Sequence, residues 1–136
     1  MWYYKGEELK EVPDGYAGMV YLISNLSNGK CYVGKKQFHF RRTKTIKGKK
    51  KRTVIESDWQ KYYGSNKELQ EHVALFGEIN FRREVLYLCK NKSQMSYLEL
   101  REQIDRRVLE SDSYYNEWIS VKCRKSKHLT NLDNGV

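Results

Sequence analysis

Proline occurs once in this chain, cysteine three times, and no apolar run is long enough to span a bilayer. The three cysteines, Cys31, Cys89 and Cys123, are odd in number, far apart and form no C-x-x-C pair. Neither a disulfide framework nor a zinc site is suggested, and a reducing, cytoplasmic setting fits. The start, Met1-Trp2-Tyr3-Tyr4-Lys5-Gly6, lacks the apolar run of a signal peptide. There is no H-x-x-x-H, no Walker glycine loop and no Ser/His/Asp pattern. Acidic residues are also short: Lys+Arg number 26 against 17 Asp+Glu, a net charge of +9. That balance favours polyanionic partners, nucleic acid first and acidic membrane surfaces second. The 136 residues are enough for one ordinary core.

Tyrosine is abundant, with eleven copies, and the chain is organised around a tyrosine-bearing hairpin. Met19-Val20-Tyr21-Leu22-Ile23 and Lys30-Cys31-Tyr32-Val33-Gly34-Lys35 alternate with period two, as half-buried strands do. Asn28-Gly29 supplies the turn. Alternation puts Met19, Tyr21 and Ile23 on one face and Val20 and Leu22 on the other, with Tyr32 and Gly34 sharing a face opposite Cys31 and Val33. Pairing that brings Tyr21 and Tyr32 to one face sets two phenols above a glycine. A tyrosine-rich hairpin covered by a helix would read the same way.

Eight positions beyond Gly34 lies Arg42. Here the sequence resembles the GIY-YIG nuclease family. Met19-Val20-Tyr21, with Gly18 one place early, corresponds to its first motif and Tyr32-Val33-Gly34 to its second. The family arginine falls at Arg42, on an expected helix from Lys36 to Lys44. Lys35 matches the lysine that one repair branch carries directly after the glycine. The homing-type histidine aligns with Gly64, which leaves His39 and Tyr63 as local candidates for its role.

Between Arg41 and Arg52, eight of twelve residues are Lys or Arg, and Gly48 in their midst argues for a mobile loop. Arg41, Lys44, Lys47, Lys49, Lys50, Lys51 and Arg52 are candidates for neutralising DNA phosphates, although a charge run is also compatible with a solvated loop. Residues 1–16 read as a short, irregular arm around Pro13-Asp14-Gly15. Its aromatics could pack on the domain or on a second subunit.

A helix from Lys67 to Phe76 is predicted, capped by Ser65 or Asn66, carrying Leu69, Val73 and Phe76 on one stripe and ending at Gly77. Phe81 to Cys89 reads as a third strand, with Val85, Tyr87 and Cys89 on one side. A last helix from about Gln94 to Leu109, capped by Ser93, would turn Leu100, Ile104 and Val108 to the core. The resemblance assigns a metal-holding glutamate to that helix. Glu99 within Tyr97-Leu98-Glu99 is the first candidate and Glu102 the second, although Ser96-x-x-Glu99 also fits a capping box. The family's closing asparagine falls on Asn116. The basic tail from Val121 to Val136, with Lys122, Arg124, Lys125 and Lys127, could contact DNA or be loose.

The expectation is a single α/β (α+β) domain, with a small three-stranded antiparallel sheet flanked by helices and a core over about 17–118. The resemblance implies a metal-dependent DNA endonuclease. Glu99 would hold Mg²⁺ (or Mn²⁺) as a hard oxygen ligand. Arg42 would grip the phosphate, Tyr21 would act as general base with Lys35 favouring its phenolate, Tyr32 would orient water or phosphate, and Asn116 would position the site. A small chain of this kind suggests modest specificity or a homodimer. The reading from another class is a non-catalytic nucleic-acid-binding module.

Overall fold

In the computed structural model, which describes residues 1–120, 122, 123, 125 and 127–129, two sheets form. The strands are β1 (Trp2–Tyr4), β2 (Glu7–Leu9), β3 (Gly18–Asn25), β4 (Cys31–Gln37), β5 (His39–Ile46), β6 (Lys49–Glu56) and β7 (Phe81–Cys89). The helices are α1 (Lys67–Phe76) and α2 (Lys92–Asp105). Five strands make the main sheet, in the order β2-β1-β7-β3-β4, while β5 and β6 pair apart from it. The class is α+β, as expected. The three-stranded sheet is too small a description: β3, β4 and β7 pair as an antiparallel unit, and β1 extends it by running parallel to β7.

The added strands come from the arm that reads as irregular. Three-residue strands leave almost no periodic signal, and the turn between them is made by Lys5 and Gly6 at positive φ. What ties the arm down is Trp2, fully buried, whose indole N–H donates to the Trp59 carbonyl at 2.7 Å. Burying an aromatic of that size contributes roughly 1.5–3 kcal/mol, and its one polar atom is satisfied. The N-terminal aromatics therefore divide, with Trp2 packing into this domain.

In the hairpin, Tyr21 lies opposite Gly34 and Ile23 opposite Tyr32. Met19, Tyr21 and Ile23 join a cluster with Trp2, Phe38, Trp59 and the α1 residue Leu69. Val20 and Val33 face the other way, onto Met95 and Leu98 of α2. The sheet thus separates the two helices, and each helix closes one of its faces. On β7 the expected single side for Val85, Tyr87 and Cys89 is broken. Tyr21 pairs with Val85 but Val20 with Tyr87, so Leu86 is an extra residue in a bulge. One inserted residue flips the phase, sending Val85 to the Tyr21 side and Tyr87 and Cys89 to the α2 side.

The α1 bounds are as predicted. Asn66 caps it, accepting from the Leu69 N–H at 2.9 Å, and Gly77 closes it at φ 88°. Leu69 is buried and Val73 half-buried, but Phe76 is exposed. α2 differs more. Asn91, not Ser93, is its cap, accepting from the Gln94 N–H at 2.8 Å. It ends at Asp105, and Arg107 is left-handed at φ 54°. Val108 is buried from the following 3-10 turn, so Leu100, Ile104 and Val108 do not share one helical face. The stripe that enters the core is Gln94, Met95, Leu98 and Gln103, while Ile104 is 57% exposed.

The largest departure is after β4. The segment expected as a helix from Lys36 to Lys44 finishes β4 and then forms β5, and the expected mobile loop forms the turn and β6. Lys47 and Gly48, both at positive φ, make the turn. Thr43, Thr45, Ile46, Thr53, Val54 and Ile55 are β-branched and interleave with the basic residues, which suits a ladder better than a helix. Phe38, buried against Trp59, fixes the root, where the Ser57 N–H donates to the Phe38 carbonyl at 2.7 Å.

Candidate active site

Gly34 is needed for closeness rather than for its φ. A Cβ there would lie against the Tyr21 hydroxyl and 2.9 Å from the Tyr32 ring. The absent side chain lets the two phenols approach to a ring separation of 6.2 Å. Tyr21 is buried, edge-on to Trp2 at 5.2 Å and to Tyr62 at 6.0 Å. Tyr32 shares a hydrogen bond of 3.1 Å with Ser65. Burial pushes the Tyr21 phenol well above its ordinary value, with Tyr62 and Tyr32 adding to the rise. Burial raises Tyr32 too. Both are neutral phenols at neutral pH, so the expectation that Lys35 would favour a Tyr21 phenolate does not hold. The reason is where Lys35 points: its ammonium donates to Ser96 Oγ at 2.9 Å and lies 3.8 Å from Glu99 Oε1.

Glu99 projects from α2 with its side chain only 14% exposed. Burial raises its carboxyl, opposed by the Lys35 charge and by a hydrogen bond from the Lys35 backbone. Glu102 has other partners. Its carboxylate accepts from Tyr87 Oη at 3.2 Å and from Arg106 Nε at 3.2 Å.

Asn116 belongs to a segment laid along the free edge of β4. The Cys31 N–H donates to the Ser113 carbonyl at 2.9 Å and the Tyr115 N–H to the Cys31 carbonyl at 2.7 Å. The Asn116 side chain completes this pairing: Oδ1 accepts from the Val33 N–H at 3.1 Å and Nδ2 donates to the Val33 carbonyl at 2.8 Å. Gln103 Nε2 donates to the same carbonyl at 3.1 Å, and its Oε1 is buried without a partner among the described residues. Asn66, besides capping α1, donates to the Tyr115 carbonyl at 2.9 Å. Behind Tyr21, Arg83 fixes the segment that carries Tyr62, donating to the Gln60 and Tyr62 carbonyls at 2.9 Å each and stacking on Tyr63 at 4.2 Å.

Tyr21, Tyr32, Lys35, Glu99 and Asn116, five residues from four separate stretches, border one cleft of about 410 Å³. Arg42 is not among them. It lies on β5 opposite Thr53, exposed, at the edge of another hollow. Its expected helix does not exist, and the strand carries it away with the hairpin. Arg41, Lys44, Lys47, Lys49, Lys50, Lys51 and Arg52 are all exposed on the same hairpin. His39 is exposed opposite Glu56, and Tyr63 stacks on Arg83; neither borders the cleft. Of the basic tail, Arg124 lies outside the described residues.

Sequence reasoning missed Ser65, Asn66 and Gln103 as cleft residues, and Trp118, which is 73% exposed at its rim. Asn66 was visible as a cap. Gln103 follows Glu99 by four positions, the same-face spacing of a helix. Among the described residues no group of three or more His, Cys, Asp or Glu gathers to hold a metal. One buried carboxylate opening on a polar cleft suits a hard dication that keeps several waters, and does not suit a soft metal or a closed cage.

Residues 2–119 match the family described as "Putative endonuclease segE, GIY-YIG domain". The chain is 33% identical over 97 residues to "Putative endonuclease segE" of Enterobacteria phage T4, across 71% of this chain and 38% of that protein. It is 26% identical over 96 residues to "Putative endonuclease segD" of the same phage, across 71% and 35%. The match thus spans well under half the length of these relatives. No solved structure gives a significant match.

Proposed function

The chain belongs to the GIY-YIG family of endonuclease domains, and from that premise we propose that it hydrolyses DNA phosphodiester bonds with a divalent metal. The observation that carries this reading is the single cleft shared by Tyr21, Tyr32, Lys35 and Glu99. The Glu99 carboxylate would hold Mg²⁺ or Mn²⁺. A cation held there would supply positive charge toward the phosphoryl and leaving 3′-oxygens. Lys35, already in the cleft, takes the phosphate-facing role that the family resemblance gives to Arg42. Its Ser96 hydrogen bond holds the ammonium in place without neutralising it.

The Tyr21 hydroxyl packs against Gly34 on one side and borders the cleft on the other, where an attacking water would lie. Because this phenol is neutral, it takes the water's proton only as it releases its own to solvent water in the cleft that it borders. Tyr32, fixed by Ser65, orients the water. Asn116 acts at one remove, by holding β4 in position.

Incubation of supercoiled plasmid with Mg²⁺, beside a sample in EDTA, tests the proposal. Nicking or linearisation only with the metal supports it. One observation favours a second reading, a non-catalytic binding module: among the described residues no arginine borders the cleft. That module would retain plasmid in EDTA and leave it intact under every divalent metal.

A further inference from the structure

The cleft does not end at Lys35. The same lysine lines a second hollow of about 260 Å³ with Lys36, Gln37, Phe40, Lys92 and Ser96. A third, of about 780 Å³, shares Gln37, Phe40 and Lys92 with the second and adds Arg41, Arg42 and Lys90. Shared walls make the three contiguous. They run from the Tyr21–Glu99 cleft past the first turn of α2 to the root of the β5–β6 hairpin.

The lining changes character along the way. The first cleft has a buried carboxylate, whereas no carboxylate lines the second or third among the described residues. Lys36 is held, paired to Asp58 at 2.7 Å and lying over the Tyr62 ring at 4.0 Å. Arg41, Arg42, Lys90 and Lys92 have no ion-pair partner among the described residues. Four unpaired cations bordering one concavity repel one another in the free protein and are relieved by a bound polyanion. The hairpin continues the pattern. Register puts Arg42, Lys44, Lys51 and Lys49 on one face, with Lys44 directly opposite Lys51. Like charges at such a cross-strand pair destabilise a ribbon that has no ligand.

We infer that the second and third hollows form a track for the DNA backbone flanking the scissile phosphate, with Arg42 and Lys92 as phosphate contacts. This rests on the nuclease reading above and gives Arg42 a place outside the chemistry. The occupant is duplex DNA, because the track leads onto a two-stranded ribbon, and a major groove admits one. Contacts of this kind supply affinity and register rather than sequence choice.

The test compares wild type, the double variant Arg42→Ala/Lys92→Ala and a charge-matched control, Lys10→Ala/Arg82→Ala. Lys10 follows β2 at the opposite edge of the sheet, and Arg82 lies toward the turn end of the central hairpin. Binding of a short mixed-sequence duplex is measured without metal across a salt series, and plasmid cleavage with Mg²⁺. The track variant is expected to flatten the dependence of log K on log salt by about 1 per lost contact, about 2 in all. Its KM should rise while its rate at saturation is kept, and the control should match wild type. If wild type cuts and the double variant keeps the wild-type slope, the track is wrong and the nuclease reading stands. A drop in the saturated rate with KM unchanged would also overturn it, by returning Arg42 to the scissile phosphate. If wild type neither binds nor cuts, both readings fall together.

Discussion

Replacing Asn116 by alanine separates a residue that holds the site from one that touches substrate. Asn116 is buried and makes two hydrogen bonds, from the Val33 N–H at 3.1 Å and to the Val33 carbonyl at 2.8 Å. After Asn116→Ala the carbonyl keeps Gln103 as a donor, at 3.1 Å. The Val33 N–H, buried beneath the segment that covers β4, loses its Asn116 acceptor. An orphaned buried donor costs about 1–3 kcal/mol, and the second lost bond adds about 0.5–1.5 kcal/mol. The sum is about 1.5–4.5 kcal/mol, large against the 5–15 kcal/mol of an ordinary domain. Urea denaturation should show a lower midpoint with an unchanged slope. Activity should fall through loss of the cleft's shape, and Asn116→Asp should not restore it, because a carboxylate oxygen would then face the Val33 carbonyl. Full stability together with lost cleavage would refute this reasoning and place the Asn116 amide on the substrate.

Gly34→Ala pushes a methyl group into the Tyr21 hydroxyl and the Tyr32 ring. Overpacking of that kind costs about 1–3 kcal/mol, and cleavage should fall more steeply than stability, as read by plasmid nicking beside a thermal melt. Trp2→Phe removes the indole donor to the Trp59 carbonyl, which keeps the Tyr62 N–H at 3.3 Å, and puts a smaller ring in a fully buried site. A loss of about 0.5–1.5 kcal/mol for the hydrogen bond, with more for the lost packing, read by urea denaturation, would confirm that the N-terminal arm is part of the fold. Cys89 is buried with its thiol pushed up to about 12, whereas Cys31 and Cys123 are part-exposed. Iodoacetamide at mildly alkaline pH should therefore label two thiols in the native protein and a third only after unfolding, as counted by mass spectrometry.

Much of the frame was legible because it rests on local rules. Period-two alternation grouped Tyr21 with Met19 and Ile23 and Tyr32 with Gly34, the β3–β4 register brings those faces together, and a cap at Ser65 or Asn66 with Gly77 bounded α1. Glu99 was distinguishable from Glu102 only in three dimensions. Both are acids on one helix, and their difference is that Tyr87 and Arg106 already engage Glu102. The failures share a cause, since each depends on partners distant in sequence. The bulge at Leu86 is set by pairing with β3, and β1 exists because Trp2 reaches Trp59. The β5 segment could be read as an amphipathic helix because Phe38, Arg41 and Arg42 fit helical spacing. The β-branched residues Thr53, Val54 and Ile55, paired with Arg42, Arg41 and Phe40 across the hairpin, decide it as a strand. Arg42 moved out of the cleft for that reason alone.

The central claim is that the cleft bordered by Tyr21, Tyr32, Lys35 and Glu99 cuts DNA. Plasmid cleavage with Mg²⁺ by wild type, Glu99→Gln and Glu102→Gln tests it most directly. Glu99→Gln should bind DNA and lose cutting by roughly 100-fold or more, while Glu102→Gln keeps most of it. Cutting that survives Glu99→Gln would contradict the claim and move the chemistry elsewhere on the molecule.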